Sequence, residues 1–312
     1  MKTRILLLLL LTAAVTRAAA VADTVKAGAY VVSVHDINFR DKEYTMRFWL
    51  WFLYSNPKFN FSTQLDIPNA KAIDPPQILT DSLEGKAWAI MKMKATMKEN
   101  WNVHDFPSDV QHLHLQVENT LFDKNTLVFQ PDIAGSRYDS GDAIDGWNIR
   151  NFKVSSSIND YETGFGDSSQ KVEYFSTFNI DMDIERDAWG LYMKIFIGMY
   201  ISFLIAAISF TPNPSELEPR FGLPVGGLFA AVGNKYIIDS LLPESSSFTL
   251  VDTLHTITFL GIFATLVVSA ICLKLFEKGK AAQSIRFNAI ASRTVVITYV
   301  ILNVIFVTLA IL

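Results

Sequence analysis

Four long apolar stretches occupy the last third of the chain and constrain its fold more than any other feature. Each approaches or exceeds the length of about 20 residues that a helix needs to cross the hydrocarbon core of a bilayer. Because backbone polar groups in lipid must find partners within their own segment, we expect these stretches to be membrane-spanning helices. The predicted spans are residues 190–211, 219–242, 250–276 and 289–312.

The N-terminus has the pattern of a signal peptide. Lys2 and Arg4 precede the apolar run Ile5–Leu11, and small residues lead to Ala20-Val21-Ala22. A charged start, a short apolar core and an A-x-A site predict cleavage and export. The alternative is a fifth membrane anchor, which Arg17 would interrupt. We therefore expect a signal peptide at 1–22, an exported domain at 23–187 and a transmembrane domain at 188–312.

Charge predicts the orientation of the spans. The segment 274–293, which joins the third and fourth spans and includes their adjoining ends, is basic and contains a single acid, Glu277. Cytoplasmic loops are typically enriched in Lys and Arg. The exported domain has 25 acidic and 16 basic residues, and this charge concentrates cations, although it also serves solubility. The basic residues of the segment are Lys274, Lys278, Lys280, Arg286 and Arg293.

The exported domain is predicted to be all-β. Tyr44–Tyr54, Leu113–Val117 and Phe178–Ile184 alternate apolar and polar residues with the period of a strand that has one buried face. Clusters of Pro, Gly, Asn and Asp separate these segments, as in a β-sandwich. The only cysteine, Cys272, falls in the third span, so the domain has no disulfide. The predicted fold class is an all-β sandwich followed by an α-helical bundle of four spans.

Phe106-Pro107-Ser108-Asp109-Val110-Gln111 resembles the F-P-x-D-x-Q signature of pentameric ligand-gated ion channels, the Cys-loop receptor superfamily. Leu113 stands where the animal receptors have a cysteine, as in the bacterial members that lack the disulfide. Gly146-Trp147-Asn148-Ile149-Arg150 is similar to the start of a Trp-containing strand of the family, and Leu242-Pro243 to the end of its second span. With the order of the domains, the resemblance extends over essentially the whole mature chain.

The resemblance implies a homopentamer in the lipid bilayer of a bacterial inner (plasma) membrane, with a periplasmic or extracellular N-terminal domain. The second span of each subunit would line a central pore for inorganic ions. An unknown small-molecule agonist would bind between neighbouring sandwiches. We thus predict a ligand-gated, cation-selective ion channel that is opened by a small molecule, an ion or a proton. The alternative is a non-conducting pentameric membrane sensor, which has only short cytoplasmic segments, 212–220 and 274–291, for a partner.

The junction between the two domains carries the predicted coupling residues. By the resemblance, the loop with Phe106, Pro107 and Asp109 would press on the loop between the second and third spans. Arg186 would lie beneath it and pair with a carboxylate, either Asp109 or Asp41, as a charge-assisted link. The alternative is an ordinary turn with a surface ion pair worth under about 1 kcal/mol.

One face of the second span is predicted to line the pore, when Leu242-Pro243 is aligned with the end of the family's helix. A fivefold ring of Glu218 would attract cations, and a ring of Phe229 would form an apolar constriction that closes by dewetting. The predicted pore-lining residues are Glu218, Gly222, Gly226, Phe229, Gly233, Tyr236 and Ser240.

Two features of this span are unusual. Gly222 and Gly226 leave two alternatives, namely backbone exposed to the lumen or close packing of neighbouring helices. Lys235 is a cation near the middle of an apolar segment, where an unpaired charge is costly. We expect it to turn away from the pore and to pair with Asp239 one turn later.

Aromatic side chains are the predicted ligand contacts, because the family binds agonists in aromatic cages that attract ammonium groups. Tyr161, Phe165 and Tyr174 belong to a strand hairpin with a long loop, and Trp51 shares a strand face with Trp49. The alternative is that several of these rings only pack within the sandwich. The predicted ligand-binding residues are Trp147, Tyr161, Phe165, Tyr174 and Trp51.

Two further clusters suggest sites for metal ions or protons. Asp139, Asp142 and Asp145 share one turn and are candidates for calcium, although their spacing does not fit an EF-hand loop. Acidic turns of this kind are also common as solvated surface. The histidines, which are candidates for a metal pair, a proton sensor or solvated side chains, are His104, His112 and His114.

The sequence has none of the common catalytic motifs. G-x-S-x-G, a P-loop, H-E-x-x-H and paired cysteines are all absent from it. We therefore predict that the protein is not an enzyme, requires no cofactor and has no nucleic-acid partner.

Overall fold

The computed structural model describes residues 21–311, apart from 142, 143, 145, 170 and 244–247. Most of the predicted signal peptide, 1–20, therefore lies outside the described residues. The chain forms a β-sheet domain followed by four helices, α1 Ala188–Ile208, α2 Leu217–Asp239, α3 Leu250–Glu277 and α4 Ala281–Ile311. The strands are β1 Asp23–Asn38, β2 Glu43–Tyr54, β3 Leu65–Asp66, β4 Ala70–Ile73, β5 Gln77–Leu83, β6 Lys86–Lys98, β7 Val110–Asn119, β8 Leu127–Pro131, β9 Arg137–Tyr138, β10 Trp147–Tyr161 and β11 Glu173–Arg186.

The strands form two sheets. The larger sheet has the order β4-β6-β2-β1-β8, with β5 also paired to β6 and β9 to β1. The smaller sheet has the order β10-β11-β7-β3. The pairs of β1 with β8 and β9 are parallel, whereas the long central pairs β1–β2, β2–β6, β7–β11 and β10–β11 are antiparallel.

The core of the β-sheet domain lies between these sheets, as the alternating patterns predict. In β2, Phe48, Leu50 and Phe52 are fully buried, whereas Trp49 and Trp51 on the opposite face are only partly buried. Phe52 stacks on Phe61, with 4.1 Å between the ring centroids. Leu113, Leu115 and Val117 of β7 and Phe178, Ile180 and Ile184 of β11 complete the core from the smaller sheet. The prediction of a sandwich is confirmed.

The prediction of four spans is also confirmed, since all four helices are long and apolar enough to cross a membrane. The chain is therefore a multi-pass membrane protein. The start of the last helix differs from the prediction, because α4 begins at Ala281 and not at residue 289. A turn with Gly279 at φ 73° ends α3, and the Ser284 hydroxyl then donates to the Cys272 carbonyl oxygen at 2.7 Å. The segment that was predicted to be a basic loop is thus largely helical.

The two domains share one hydrophobic core. A single residue, Asp187, separates the end of β11 from the start of α1. At the start of α3, the backbone N–H of Leu250 donates to the carbonyl oxygen of His104 at 2.9 Å. Buried residues of the β-sheet domain are continuous with Phe196 of α1 and Val251 of α3. The β-sheet domain therefore packs directly against the ends of the helices.

Candidate coupling, pore and ligand sites

The end of β11 presents a buried ion pair at the junction of the domains. Arg186 donates from Nε to Oδ1 of Asp109 at 2.8 Å and from Nη2 to Oδ2 at 3.3 Å. The Arg186 and Asp109 side chains are only 12% and 2% exposed, respectively. Of the two carboxylates that the sequence suggested for Arg186, the structure pairs it with Asp109. Because both charges are buried and the contact is bidentate, this is not the surface pair of the alternative.

Three aromatic rings surround the guanidinium group of Arg186. Its central carbon lies 4.0 Å from the ring centroid of Trp147, 4.8 Å from Phe39 and 5.1 Å from Phe106. Cation–π contacts of this kind gain strength where the site is desolvated. Trp147, predicted as a ligand contact, thus lies with Arg186 and Phe106, two of the residues that were predicted for coupling. Apart from its position beside the β1–β2 turn, nothing in the sequence indicated that Phe39 would contact Arg186.

Polar contacts hold the carboxylate of this ion pair in position. Gln111 donates from Nε2 to Asp109 Oδ2 at 2.5 Å and to the carbonyl oxygen of Asn102 at 2.7 Å. The backbone N–H of Asn102 donates back to Gln111 Oε1 at 3.0 Å. The F-P-x-D-x-Q motif therefore supplies an aromatic wall, a carboxylate and the amide that orients the carboxylate.

The β1–β2 turn lies over the end of α2. Asp41 accepts a hydrogen bond from Asn38 Nδ2 at 2.7 Å and does not contact Arg186. Its carbonyl oxygen accepts from Lys71 Nζ at 3.0 Å. Between the turn and the helix end is a crevice of about 650 Å³, lined by Arg40, Asp41, Lys42, Tyr236, Asp239, Ser240 and Leu242. Pro107, after a cis bond, belongs to the neighbouring loop.

The predicted pore face of α2 is exposed among the described residues of the chain. Phe229 and Tyr236 are 72% and 77% exposed, and the opposite face is buried at Pro224, Gly227 and Ala231. A Cβ atom at Gly222, Gly226 or Gly233 would have no neighbour within 4 Å, whereas one at Gly227 would lie 2.6 Å from the Ser202 carbonyl oxygen. The glycine that packs against α1 is therefore Gly227. The predicted residues, all exposed, are Glu218, Gly222, Gly226, Phe229, Gly233, Tyr236 and Ser240.

Lys235 lies on a different side of α2 from these residues and is partly buried. It pairs with Asp239, as the sequence suggested, and also with Asp252 of α3 at 2.8 Å. Asp252 is fixed by a capping box, in which the Thr249 N–H donates to Asp252 Oδ2 at 2.8 Å and the Asp252 N–H donates to Thr249 Oγ1 at 3.3 Å. The second carboxylate was not predicted, because only the packing of α3 against α2 brings it near.

The β10–β11 hairpin holds part of the predicted ligand site. The ring of Tyr161 lies 5.7 Å from those of both Phe165 and Phe175, and its hydroxyl donates to Glu118 Oε2 at 2.8 Å. Glu118 is buried and accepts further bonds from Asn159 at 2.6 Å and from a threonine hydroxyl at 2.8 Å. Burial of the phenol, together with the hydrogen bond to the Glu118 carboxylate, raises the pKa of Tyr161 to about 12.

Tyr174 lines a separate cavity of about 480 Å³ at the loop end of this hairpin. The ammonium group of Lys124 lies 3.7 Å from the centroid of the Tyr174 ring. The segment after β7 supplies the other wall, and no pattern in the sequence pointed to it. The polar lining residues include Asp123, Lys124, Asn125, Thr126, Asp167 and Glu173.

Trp51 lies on the larger sheet, and neighbouring residues fix its position. Its indole N–H donates to Asp132 Oδ2 at 3.3 Å, and the indole covers the backbone of Gly28. Lys26 pairs with the other oxygen of Asp132 at 3.0 Å. Trp51 is therefore apart from Tyr161, Phe165 and Tyr174 within one chain.

The histidine and acidic clusters have local partners. His112 Nδ1 lies 2.6 Å from Asp183 Oδ1, and His114 Nδ1 lies 2.5 Å from Asp181 Oδ1. The bond with His112 lowers the pKa of Asp183. His104 contacts Asp105 in the same way at 2.6 Å. Among the described residues no group of three or more His, Cys, Asp or Glu is arranged to hold a metal ion. Of the calcium candidates, Asp139 accepts from the Gly141 N–H at 3.0 Å, and Asp142 and Asp145 lie outside the described residues.

Glu118→Gln is expected to lower the pKa of Tyr161 from about 12 towards, but not to, its ordinary value of 10.0, because the phenol remains partly buried. In the wild type the folded state holds this proton more tightly than the unfolded state. This contribution to stability is therefore present below about pH 10 and is lost as the pH rises towards 12. Ultraviolet difference titration would measure the change, with Tyr161→Phe identifying the signal. An unchanged titration in Glu118→Gln would contradict the assigned contact.

No protein-family model matches the chain, and no curated protein matches it. Fold and geometry alone therefore define the class of protein. A sandwich domain joined to a bundle of four apolar helices is compatible with a membrane channel or receptor.

Proposed function

We propose that the chain is one subunit of a pentameric ligand-gated ion channel that is selective for cations. The observation that carries the proposal is the exposed face of α2. Polar residues, glycines and two aromatic residues form this face, while the other side of the helix packs in the bundle. In a ring of five subunits, the exposed face of each α2 helix would be turned towards the same face of the other subunits. The five helices would then enclose a lumen.

Glu218 is the proposed selectivity residue. It lies in the first turn of α2, and a ring of five such carboxylates favours cations over anions. The negative charge of the β-sheet domain, with 25 acidic and 16 basic residues in 23–187, would concentrate cations at the outer entrance. The basic segment before and within the start of α4 supports an inner-membrane orientation with this end in the cytoplasm and the β-sheet domain outside.

The proposed gate lies in α2, and the proposed agonist site that controls it lies in the β-sheet domain. Phe229 would form the apolar constriction. Agonist binding between neighbouring sandwiches would move the β10–β11 hairpin, whose strand β11 ends at Arg186. The ion pair with Asp109 and the contact of His104 with Leu250 would carry that movement to the helices. The proposed agonist contacts are Tyr161, Phe165 and Tyr174 from one subunit and Trp51 from the next.

Conduction can be tested without knowing the agonist. Phe229→Ala should remove the constriction and give constitutive flux of sodium or potassium ions in proteoliposomes. Glu218→Gln in the Phe229→Ala protein should lower the cation-to-anion permeability ratio, because the ring of charge is lost. The matched control is Phe263→Ala, which removes an exposed aromatic residue of α3 and should leave the liposomes tight.

A second measurement identifies the stimulus. The wild-type protein is exposed to amines, carboxylates, divalent cations and a series of pH values, and flux and melting temperature are recorded. A stimulus that raises both supports the ligand-gated channel. If the Phe229→Ala protein is pentameric but its liposomes show no ion flux, the non-conducting sensor is favoured. In that alternative, Gly222 and Gly226 allow neighbouring α2 helices to pack closely and leave no open pore. A monomeric protein would contradict both functions.

A further inference from the structure

The end of the bundle away from the β-sheet domain contains a buried cation that has no carboxylate partner in the part of the chain that the structure describes. Arg220, near the start of α2, is only 1% exposed. It donates from Nε to the carbonyl oxygen of Pro212 at 3.0 Å and from Nη2 to Asn288 Oδ1 at 2.8 Å. Asn288 in turn donates to the carbonyl oxygen of Phe210 at 3.0 Å. The guanidinium group thus has neutral acceptors on two sides.

Towards this end of the bundle, three buried polar atoms have no hydrogen-bond partner among the described residues. They are Arg220 Nη1, Ser209 Oγ and Ser269 Oγ. Ser209 directly precedes Phe210, which binds Asn288. Ser269 lies one turn before Cys272 on the same side of α3, and the Cys272 thiol is 3.8 Å from Asn288 Oδ1. All three atoms belong to hydrogen-bond donors, one directly after the end of α1, one in α2 and one in α3.

The charge around these donors is not balanced. A guanidinium group stays protonated in proteins, and burying it without an opposite charge costs several kcal/mol by order of magnitude. No carboxylate of the described residues lies within 4 Å of Arg220. The N-terminus of α2 adds a partial positive charge, and Lys274, Lys278 and Lys280 lie at the same end of the bundle. The site therefore has three unused donors and an uncompensated positive charge.

We propose that a buried chloride ion binds at this site, held by Arg220 Nη1 and by the hydroxyl groups of Ser209 and Ser269. A single-atom anion accepts from several donors at once and neutralises the guanidinium group. A lipid phosphate does not fit the observations, because the side chain of Arg220 and both serines are buried from the surface. The ion ties α1, α2 and α3 together below the proposed pore, and this role is independent of the proposed channel function.

Bromide replaces chloride at such sites and can be located by anomalous X-ray scattering. Crystals of the full-length protein grown with bromide are expected to show an anomalous peak in every subunit, within hydrogen-bonding distance of Arg220 Nη1. The absence of that peak, or an ordered water molecule in its place, would overturn the proposal.

Thermal melting in detergent supplies an independent test. At constant ionic strength, replacing gluconate by chloride is expected to raise the melting temperature of the wild type by about 2–4 °C. Arg220→Met should lose this shift, whereas Arg286→Met, an exposed arginine on α4 at the same end, should keep it. If Arg220→Met does not fold, Ser269→Ala decides, because it removes one donor and should reduce the shift. An equal shift in Ser269→Ala and the wild type would contradict the site.

Discussion

Arg186→Gln is expected to reduce agonist-evoked flux by about 5- to 150-fold, the range of a lost coupling free energy of about 1–3 kcal/mol. The side chain links β11 to Asp109 through two hydrogen bonds, and three aromatic rings enclose it. Glutamine keeps a donor but loses the charge, the bidentate contact and the cation–π contacts. Flux would be measured in proteoliposomes with the stimulus found in the screen.

Stability must be separated from coupling in this experiment. Arg186→Gln leaves the 2% exposed Asp109 carboxylate without its cation, which is expected to cost about 3–5 kcal/mol. The double variant Arg186→Met with Asp109→Leu removes both charges and should regain most of that stability. If the ion pair couples the domains, the double variant melts near the wild type but its flux stays low. Recovery of flux together with stability would show that the pair is only structural.

Arg150→Gln is the matched control for this series. Arg150 lies on β10 and forms a bidentate pair with Glu185, the residue before Arg186. Both side chains are solvent-exposed, Arg150 at 56% and Glu185 at 37%. An exposed pair contributes about 1 kcal/mol or less, so both stability and flux should remain close to the wild type. A loss of flux as large as that of Arg186→Gln would mean that any charge change at this end of the sheet disturbs gating.

Periodicity and length were sufficient to predict the two domains. Alternation in Tyr44–Tyr54 identified a strand with a buried face, and the spans followed from apolar length alone. The start of α4 was missed because its basic residues suggested a loop, although alanine and the other good helix formers there favour a helix. Clusters of Lys and Arg indicate on which side of the membrane a segment lies, but they do not determine its secondary structure. Helix propensity would have placed the boundary better.

Contacts between segments that are distant in the chain were harder to predict from the sequence. The motif pointed to Asp109 as one of two partners for Arg186, but nothing local placed Phe39 and Trp147 on the same guanidinium group. Pairing of β10 with β11 places Trp147 opposite Arg186, and packing of the β1–β2 turn against the smaller sheet brings Phe39 to Trp147 across more than a hundred residues of chain. The same holds for Glu118, which lies beneath Tyr161 only because β7 pairs with β11. When tertiary packing alone brings the residues of a site together, no pattern in a single sequence identifies them.

The glycines of α2 illustrate how neighbours in sequence differ in packing. Gly226 and Gly227 are adjacent, yet they point to different surroundings. A Cβ atom at Gly227 would lie 2.6 Å from the backbone carbonyl oxygen of Ser202 in α1, and a backbone atom cannot move away as a side chain can. A Cβ atom at Gly226 would meet nothing within 4 Å. Replacing each of these two glycines by valine therefore adds the same volume to the same helix in two different surroundings.

Gly227→Val is expected to destabilise the protein by about 1–3 kcal/mol or more, because α1 and α2 must separate to admit the side chain. Its melting temperature and its yield of monodisperse protein should fall. Gly226→Val should fold as well as the wild type, since valine is no worse than glycine in a helix and has room. If Gly226 faces the lumen, Gly226→Val in the Phe229→Ala background should instead reduce flux, because five added side chains narrow the pore. Equal melting temperatures for the two valine variants would contradict the packing of α2 against α1, and an unchanged flux in Gly226→Val would remove that glycine from the pore face.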